Sequence, residues 1–175
     1  KRKKQWQEKL LGELRRWRAE QAKALNIAPA SLIAEYRLDS LAKKPLFTPA
    51  ALYSAEVMPE EHFAAVGEAL ALFLVEQYPA IVEQGGKPRG GSDIATFLLY
   101  NDGKDVREIA NACEISPLTV LSHLAKCHAG GLPVDATQFV TDEEIAKVQE
   151  AYDAGNESLG SIRVALNKDI EYGEI

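Results

Sequence analysis

Apolar positions recur at spacings of three and four along most of this chain, the period of helices that bury one face. Residues 6–25 carry Leu10, Leu11, Leu14, Trp17, Ala22 and Leu25 in that rhythm, and Gly12 costs this helix about 1 kcal/mol relative to alanine without erasing it. Asn26-Ile27-Ala28-Pro29 ends the helix, and short helical segments follow at 31–35 and 37–42. Thr48-Pro49 combines a capping hydroxyl with a proline at the first helical position and opens a helix to Tyr53. Pro59 starts a longer one through Phe63, Val66, Leu70, Phe73 and Leu74 to Tyr78. No strand pattern competes in this half, so it predicts a bundle of about five helices.

The second half is organised around residues 92–129. A helix over 93–100 places Ile94, Phe97 and Leu98 on one face, and Asn101-Asp102-Gly103 stops it. Asp105 and Glu108 have the spacing of a reciprocal cap for a second helix with Val106, Ile109 and Ala110 inward. After a break at Cys113-Glu114-Ile115, Ser116-Pro117 starts a third, so that the last two are set like a helix-turn-helix. In the third helix Val120, Leu121 and Leu124 are expected to be buried. Leu118, Thr119, Ser122, His123 and Lys126 are expected to form an outer, mostly polar surface of a kind that enters a major groove. The same pattern also suits a small helical core that packs on, or binds, another protein.

Gly130-Gly131-Leu132-Pro133 makes the next break, and residues 134–140 read as a connector or a small strand. Thr141 and Glu144 have capping-box spacing and open a helix through Ile145, Val148 and Tyr152, which Ala154-Gly155-Asn156 stops. A short helix is expected at 158–166, and Asp169-Ile170-Glu171-Tyr172 reads as the start of another, truncated one.

Composition divides the chain. The glycine-rich stretch EQGGKPRGG reads as a flexible linker, placing a first domain at 1–80, the linker at 81–91 and a second domain at 92–175. The formal charge is −6, but residues 1–79 hold 12 Lys/Arg against 10 Asp/Glu, whereas residues 80–175 hold 8 against 16. The first half is therefore the better candidate for phosphate contact, and the second needs a local basic face to overcome its own field. Two cysteines make no secreted disulfide framework, no apolar run is long enough to predict a membrane span, and Lys1-Arg2-Lys3-Lys4 lacks the apolar stretch of a signal peptide. A cytosolic setting and a piece of a longer protein are the expectations.

Catalytic chemistry is not foreshadowed. Gly85-Gly86-Lys87-Pro88-Arg89-Gly90-Gly91 lacks the spacing, the preceding strand and the hydroxyl of a phosphate-binding loop. Cys113, His123, Cys127 and His128 invite a zinc check, but only His123 and Cys127 stand at the i,i+4 spacing that shares a helix face. No carboxylate pair stands in register with a nucleophile, so neither catalytic nor metal residues are assigned.

The string LLGELRRWRAEQAKALNIAPASLIAEYRLDSLAKKPLFTPAALYSAEVMPEEHFAAVGEALALFL, residues 10–74, resembles the helicase-and-RNase-D C-terminal (HRDC) domain in helix order and in the position of its Leu-Ala-Lys-Lys-Pro segment. Members often carry a glycine-containing turn before the last helix, where Glu56-Val57-Met58-Pro59 stands here. Residues 96–126, 134–155 and 166–175 in succession resemble the helix-turn-helix domain that follows HRDC in some RecQ-like helicases. The resemblance implies an all-α architecture, an HRDC-like five-helix bundle followed by a helix-turn-helix domain with additional C-terminal helices. It implies a non-catalytic accessory region of an ATP-dependent 3'-5' DNA helicase acting in repair or recombination, with ATP and magnesium belonging to the parent's motor and no cofactor here. By matching position Lys43 and Lys44 lie in the basic nucleic-acid segment; Arg15, Arg16 and Arg18 are additional charged candidates, and Thr119, Ser122, His123 and Lys126 are the candidates offered by the polar face of the third helix. Implied partners are single-stranded or branched DNA, the parent's own motor domains and a repair protein, in the cytoplasm at the bacterial nucleoid and not at a membrane. Two other readings stand beside it: a protein-interaction or motor-docking module without DNA recognition, and an RNA-processing accessory domain.

Overall fold

Helix α1 (Gln5–Ala24) buries Trp6, Leu10, Leu11, Leu14, Trp17 and Ala22, a stripe at the helical period that forms one wall of the core. The computed structural model describes residues 4–170 and 175, and among these it is all-α, with ten α-helices, one 3-10 turn and no strand. The four helices that follow α1 are α2 (Pro29–Leu32), α3 (Glu35–Lys43), α4 (Pro49–Ser54) and α5 (Glu60–Glu83). Both α2 and α3 pack on α1, while α5 packs on α1 and α4 and presents Val66, Leu70, Ala71, Leu74 and Val75 to the core.

Helix α5 continues five residues past Tyr78, where the apolar pattern was expected to end it, and runs through Pro79. Pro79 removes one backbone donor but is exposed, and Ile81 anchors the final turn at 2% exposure. The extended helix is long and apolar enough, by length and composition alone, to cross a bilayer. Its buried face is spoken for by α1, α4 and the next helix, as in the central helix of a bundle.

The second half comprises α6 (Gly91–Asn101), α7 (Val106–Cys113), α8 (Pro117–Ala129), a 3-10 turn (Ala136–Gln138), α9 (Asp142–Asp153) and α10 (Leu159–Ala165). The caps form as the sequence predicts. Asp105 accepts from the Glu108 amide at 2.9 Å and Glu108 from the Asp105 amide at 2.8 Å, and Ser116 accepts from Thr119 at 3.1 Å. At the far ends the chain turns through a left-handed residue, with Glu114 at φ 55 closing α7 and the Ile115 amide reaching back to the Ala110 carbonyl at 3.0 Å. Residues 134–140 form a connector, not a strand, and hold the 3-10 turn Ala136–Gln138 capped by Asp135. The Glu171 and Tyr172 of the expected last segment lie outside the described residues, as do the first three residues of the basic opening.

The connection expected as a flexible linker spans residues 84–90, because α5 runs to Glu83 and α6 starts at Gly91. Gly86 is buried and donates to the Ile81 carbonyl at 2.8 Å. The two halves also touch at a second place. The Ala50 amide donates to the Gly130 carbonyl at 3.0 Å, and a side chain at Gly130 would come within 2.7 Å of Thr48. Buried residues from Trp6 to Val134 accordingly form one contiguous core, whereas Ala151, Ile162 and Ile170 are buried outside it, under the α9–α10 hairpin.

Candidate nucleic-acid interface

Two of the three candidate arginines of α1, Arg15 and Arg18, face the start of α3, and carboxylates of the chain itself pair with all three. Arg15 Nε donates to Glu35 at 2.7 Å, and Arg18 donates to the other Glu35 oxygen at 2.8 Å and to the Ile33 carbonyl at 2.8 Å. The Arg15 hydrogen bond, reinforced by Arg18, holds the Glu35 carboxyl below its ordinary range. Arg18 is only 13% exposed, so it serves as a clamp between α1 and the start of α3. Arg16 pairs with Glu13 at 2.5 Å, and Lys43 pairs with Asp39 one turn earlier on α3. The structure therefore brings Arg15 and Arg18 together on one carboxylate at the start of α3 and sets Lys43 at its other end. Lys44 is exposed and has no ion-pair partner among the described residues.

On α8 the outer surface differs from the one expected. His123 turns inward, with its side chain 12% exposed, its Nδ1 2.9 Å from the Thr96 hydroxyl and its Nε2 3.5 Å from Asp93. The cause is Thr96, the one fully buried polar side chain among the described core residues, whose hydroxyl needs a partner. Leu121 is half-buried at the edge of the core rather than within it. Thr119 is occupied by the helix cap, its hydroxyl 2.8 Å from Ser116. Ser122 and Lys126 remain outside, joined by Leu118 at 53% exposure and by Ala125 and Ala129. This exposed face carries a single cation.

Among the described residues no group of three or more His, Cys, Asp or Glu is placed to hold a metal ion. Cys127 is buried, its Sγ 3.5 Å from the Asp93 carbonyl, and burial, with Asp93 nearby, pushes its thiol up to about 12. His128 turns to the Val134 carbonyl at 3.0 Å, away from Cys127 and His123.

A grouping absent from the sequence reading lies at the junction of the two halves. A crevice of about 190 Å³ there is lined by Pro45, Leu46 and Thr48 from the first half, by Arg89 from the connection and by Asp93, Ile94 and Lys126 from the second half. Lys44 immediately precedes Pro45. Lys126 comes only within 4.0 Å of Asp93 and stays 64% exposed, and Arg89 is exposed without an ion pair among the described residues. Two cations distant in sequence, Arg89 and Lys126, thus line one concave surface together with the Asp93 carboxylate, and exposed Lys44 adjoins its Pro45 wall in sequence. The signal available beforehand was the Lys-Pro-Arg core of the glycine-rich connection, whose position between two helices fixes it beside both.

Residues 92–175 match the family model of a helix-turn-helix domain, covering α6 to the end of the chain. No curated protein and no solved structure matches the chain. Helix-turn-helix domains are a common route to nucleic-acid binding, with the second helix of the motif, here α8, presented outward.

Proposed function

We propose that this chain is the non-catalytic accessory region of a RecQ-like DNA helicase, contacting nucleic acid weakly and without base selectivity while a motor elsewhere in the parent protein supplies ATP-driven unwinding. The five helices of the first half, in the order expected of an HRDC domain, and the helix-turn-helix match directly after them support this reading. The observation that carries it is the pair of cations, Arg89 and Lys126, that lines the crevice between the halves, with exposed Lys44 next in sequence to its Pro45 wall. Lys44 and Arg89 have no ion pair among the described residues and Lys126 reaches Asp93 only at 4.0 Å, whereas Arg15, Arg16, Arg18 and Lys43 are held by closer carboxylates, so phosphate oxygens meet less internal competition at the first three. Such contacts hold a strand in place and read no sequence.

Fluorescence anisotropy of labelled single-stranded and forked DNA tests the reading. The expected result is binding at low salt that the double reversal Lys44→Glu and Arg89→Glu weakens by about tenfold or more, with circular dichroism unchanged. Absence of binding at low salt, or affinity indifferent to the reversal, would overturn it. A matched RNA strand bound more tightly than DNA would favour an RNA-processing role instead.

A further inference from the structure

Helices α8 and α9 leave between them a groove of about 340 Å³ whose walls are Leu121 and Ala125 on one side and Ile145 and Val148 on the other, with Phe139 between and Ile175 of the chain's own end also lining it. The apolar strip extends past the groove at both helices. Leu118, one turn before Leu121, is 53% exposed, and Tyr152, one turn after Val148, is 52% exposed, while Ile145 itself is 42% exposed. Leucine, isoleucine and tyrosine this open and this contiguous form a surface that water covers at a cost.

Charge identifies the occupant. Residues 134–170 hold eight Asp/Glu and three Lys/Arg. At the angular step of a helix, Asp142 and Asp153 fall along the edge of the face that carries Ile145, Val148 and Gln149, with Glu150 further round. The single cation of α9, Lys147, lies on the opposite side and is tied to Glu143 at 2.8 Å. An apolar floor with an acidic edge repels phosphate and attracts a cationic flank. Two helical walls also match the shape of a third helix laid between them.

We propose that this groove takes an amphipathic helix from a partner protein, with aliphatic residues at helical spacing on its inner face and Lys or Arg along the flank beside Asp142 and Asp153. The surface is separate from the crevice of Arg89 and Lys126, so the proposal does not depend on DNA contact there.

The test uses the full 175-residue chain and three labelled synthetic helices read by fluorescence anisotropy: a leucine-faced helix with a lysine flank, the same helix with glutamate in place of lysine, and a scrambled peptide of unchanged charge. The lysine-flanked helix is expected to bind, and the other two to bind about tenfold more weakly or not at all. Ile145→Glu, at an exposed position, is expected to weaken the lysine-flanked helix by about tenfold, and Asp142→Lys with Asp153→Lys to shift preference toward the glutamate-flanked one. Each variant is to be checked by thermal melting, and a variant that melts like the parent yet binds the helix unchanged overturns the proposal. Equal binding of the helix and its scrambled form also overturns it. So does self-association in sedimentation that Ile145→Glu abolishes, since a second copy would then be the occupant, and so does competition for the groove by DNA.

Discussion

Nδ1 of His123 lies 2.9 Å from the hydroxyl of Thr96, a side chain with no exposure to solvent, and this pair joins α8 to α6 through the middle of the helix-turn-helix core. His123→Ala should cost about 1–3 kcal/mol, because it leaves the Thr96 hydroxyl buried without a partner. Adding Thr96→Val should recover part of that loss, since removing both polar partners is far less costly than removing one. Denaturant melts of the two single variants and the double variant close the cycle, and independent, additive losses would show that the contact carries no coupling.

Glu35 ties Arg15 and Arg18 to the start of α3, and its carboxyl is depressed by those hydrogen bonds. A depressed carboxyl contributes stability that is fully present above the ordinary value of 4.5 and is lost as the pH falls through the lower folded value. Acidification should therefore weaken the first half, and Glu35→Gln should make the stability less steep in pH across that window. Urea melts between about pH 3 and pH 6 measure the slope, and identical slopes for the two proteins would contradict the assignment.

Glu114 sits in the left-handed region at φ 55, at the turn that separates α7 from α8. A side chain there costs about 1–2 kcal/mol, of which the greater entropy of unfolded glycine takes back up to about 1 kcal/mol. Glu114→Gly should accordingly raise stability by up to about 1 kcal/mol, and a β-branched Glu114→Val should lower it. Thermal melts of the two variants, moving in opposite directions, are the expected result.

If Lys44, Arg89 and Lys126 each meet one phosphate, the slope of log affinity against log salt for single-stranded DNA should be about −2, since each contact contributes about −0.7. Replacing Lys126 by alanine should reduce that slope by about 0.7, with little change in preference among sequences. A slope near zero would indicate contact through groups other than these cations.

The helices were legible because their caps are local. Asp105, Ser116 and Thr141 each mark a start that depends only on the next three residues, and each forms. The orientation of His123 was within reach too, because Val120, His123, Leu124 and Cys127 follow the spacing i, i+3, i+4, i+7. Its polarity suggested the outside, and the buried hydroxyl that draws it inward lies 27 residues away in α6. The pairing of the α1 arginines with Glu35 was hidden for the same reason, since it spans 17 to 20 residues and follows from how α3 folds back on α1. The family resemblance supplied the candidate positions Lys43 and Lys44, and only the fold distinguishes them, one held by Asp39 and the other exposed without an ion pair among the described residues.

At the junction of the halves, the amide of Ala50 meets the carbonyl of Gly130, a Cβ at Gly130 would clash with Thr48 at 2.7 Å, and Gly131 turns at φ 91 beside Pro49. The hydrogen bond ties the end of α8 to the start of α4 and closes residues 50–130 into a ring, so the glycine-rich connection at 84–90 is one of two links between the halves rather than the single hinge its composition suggests.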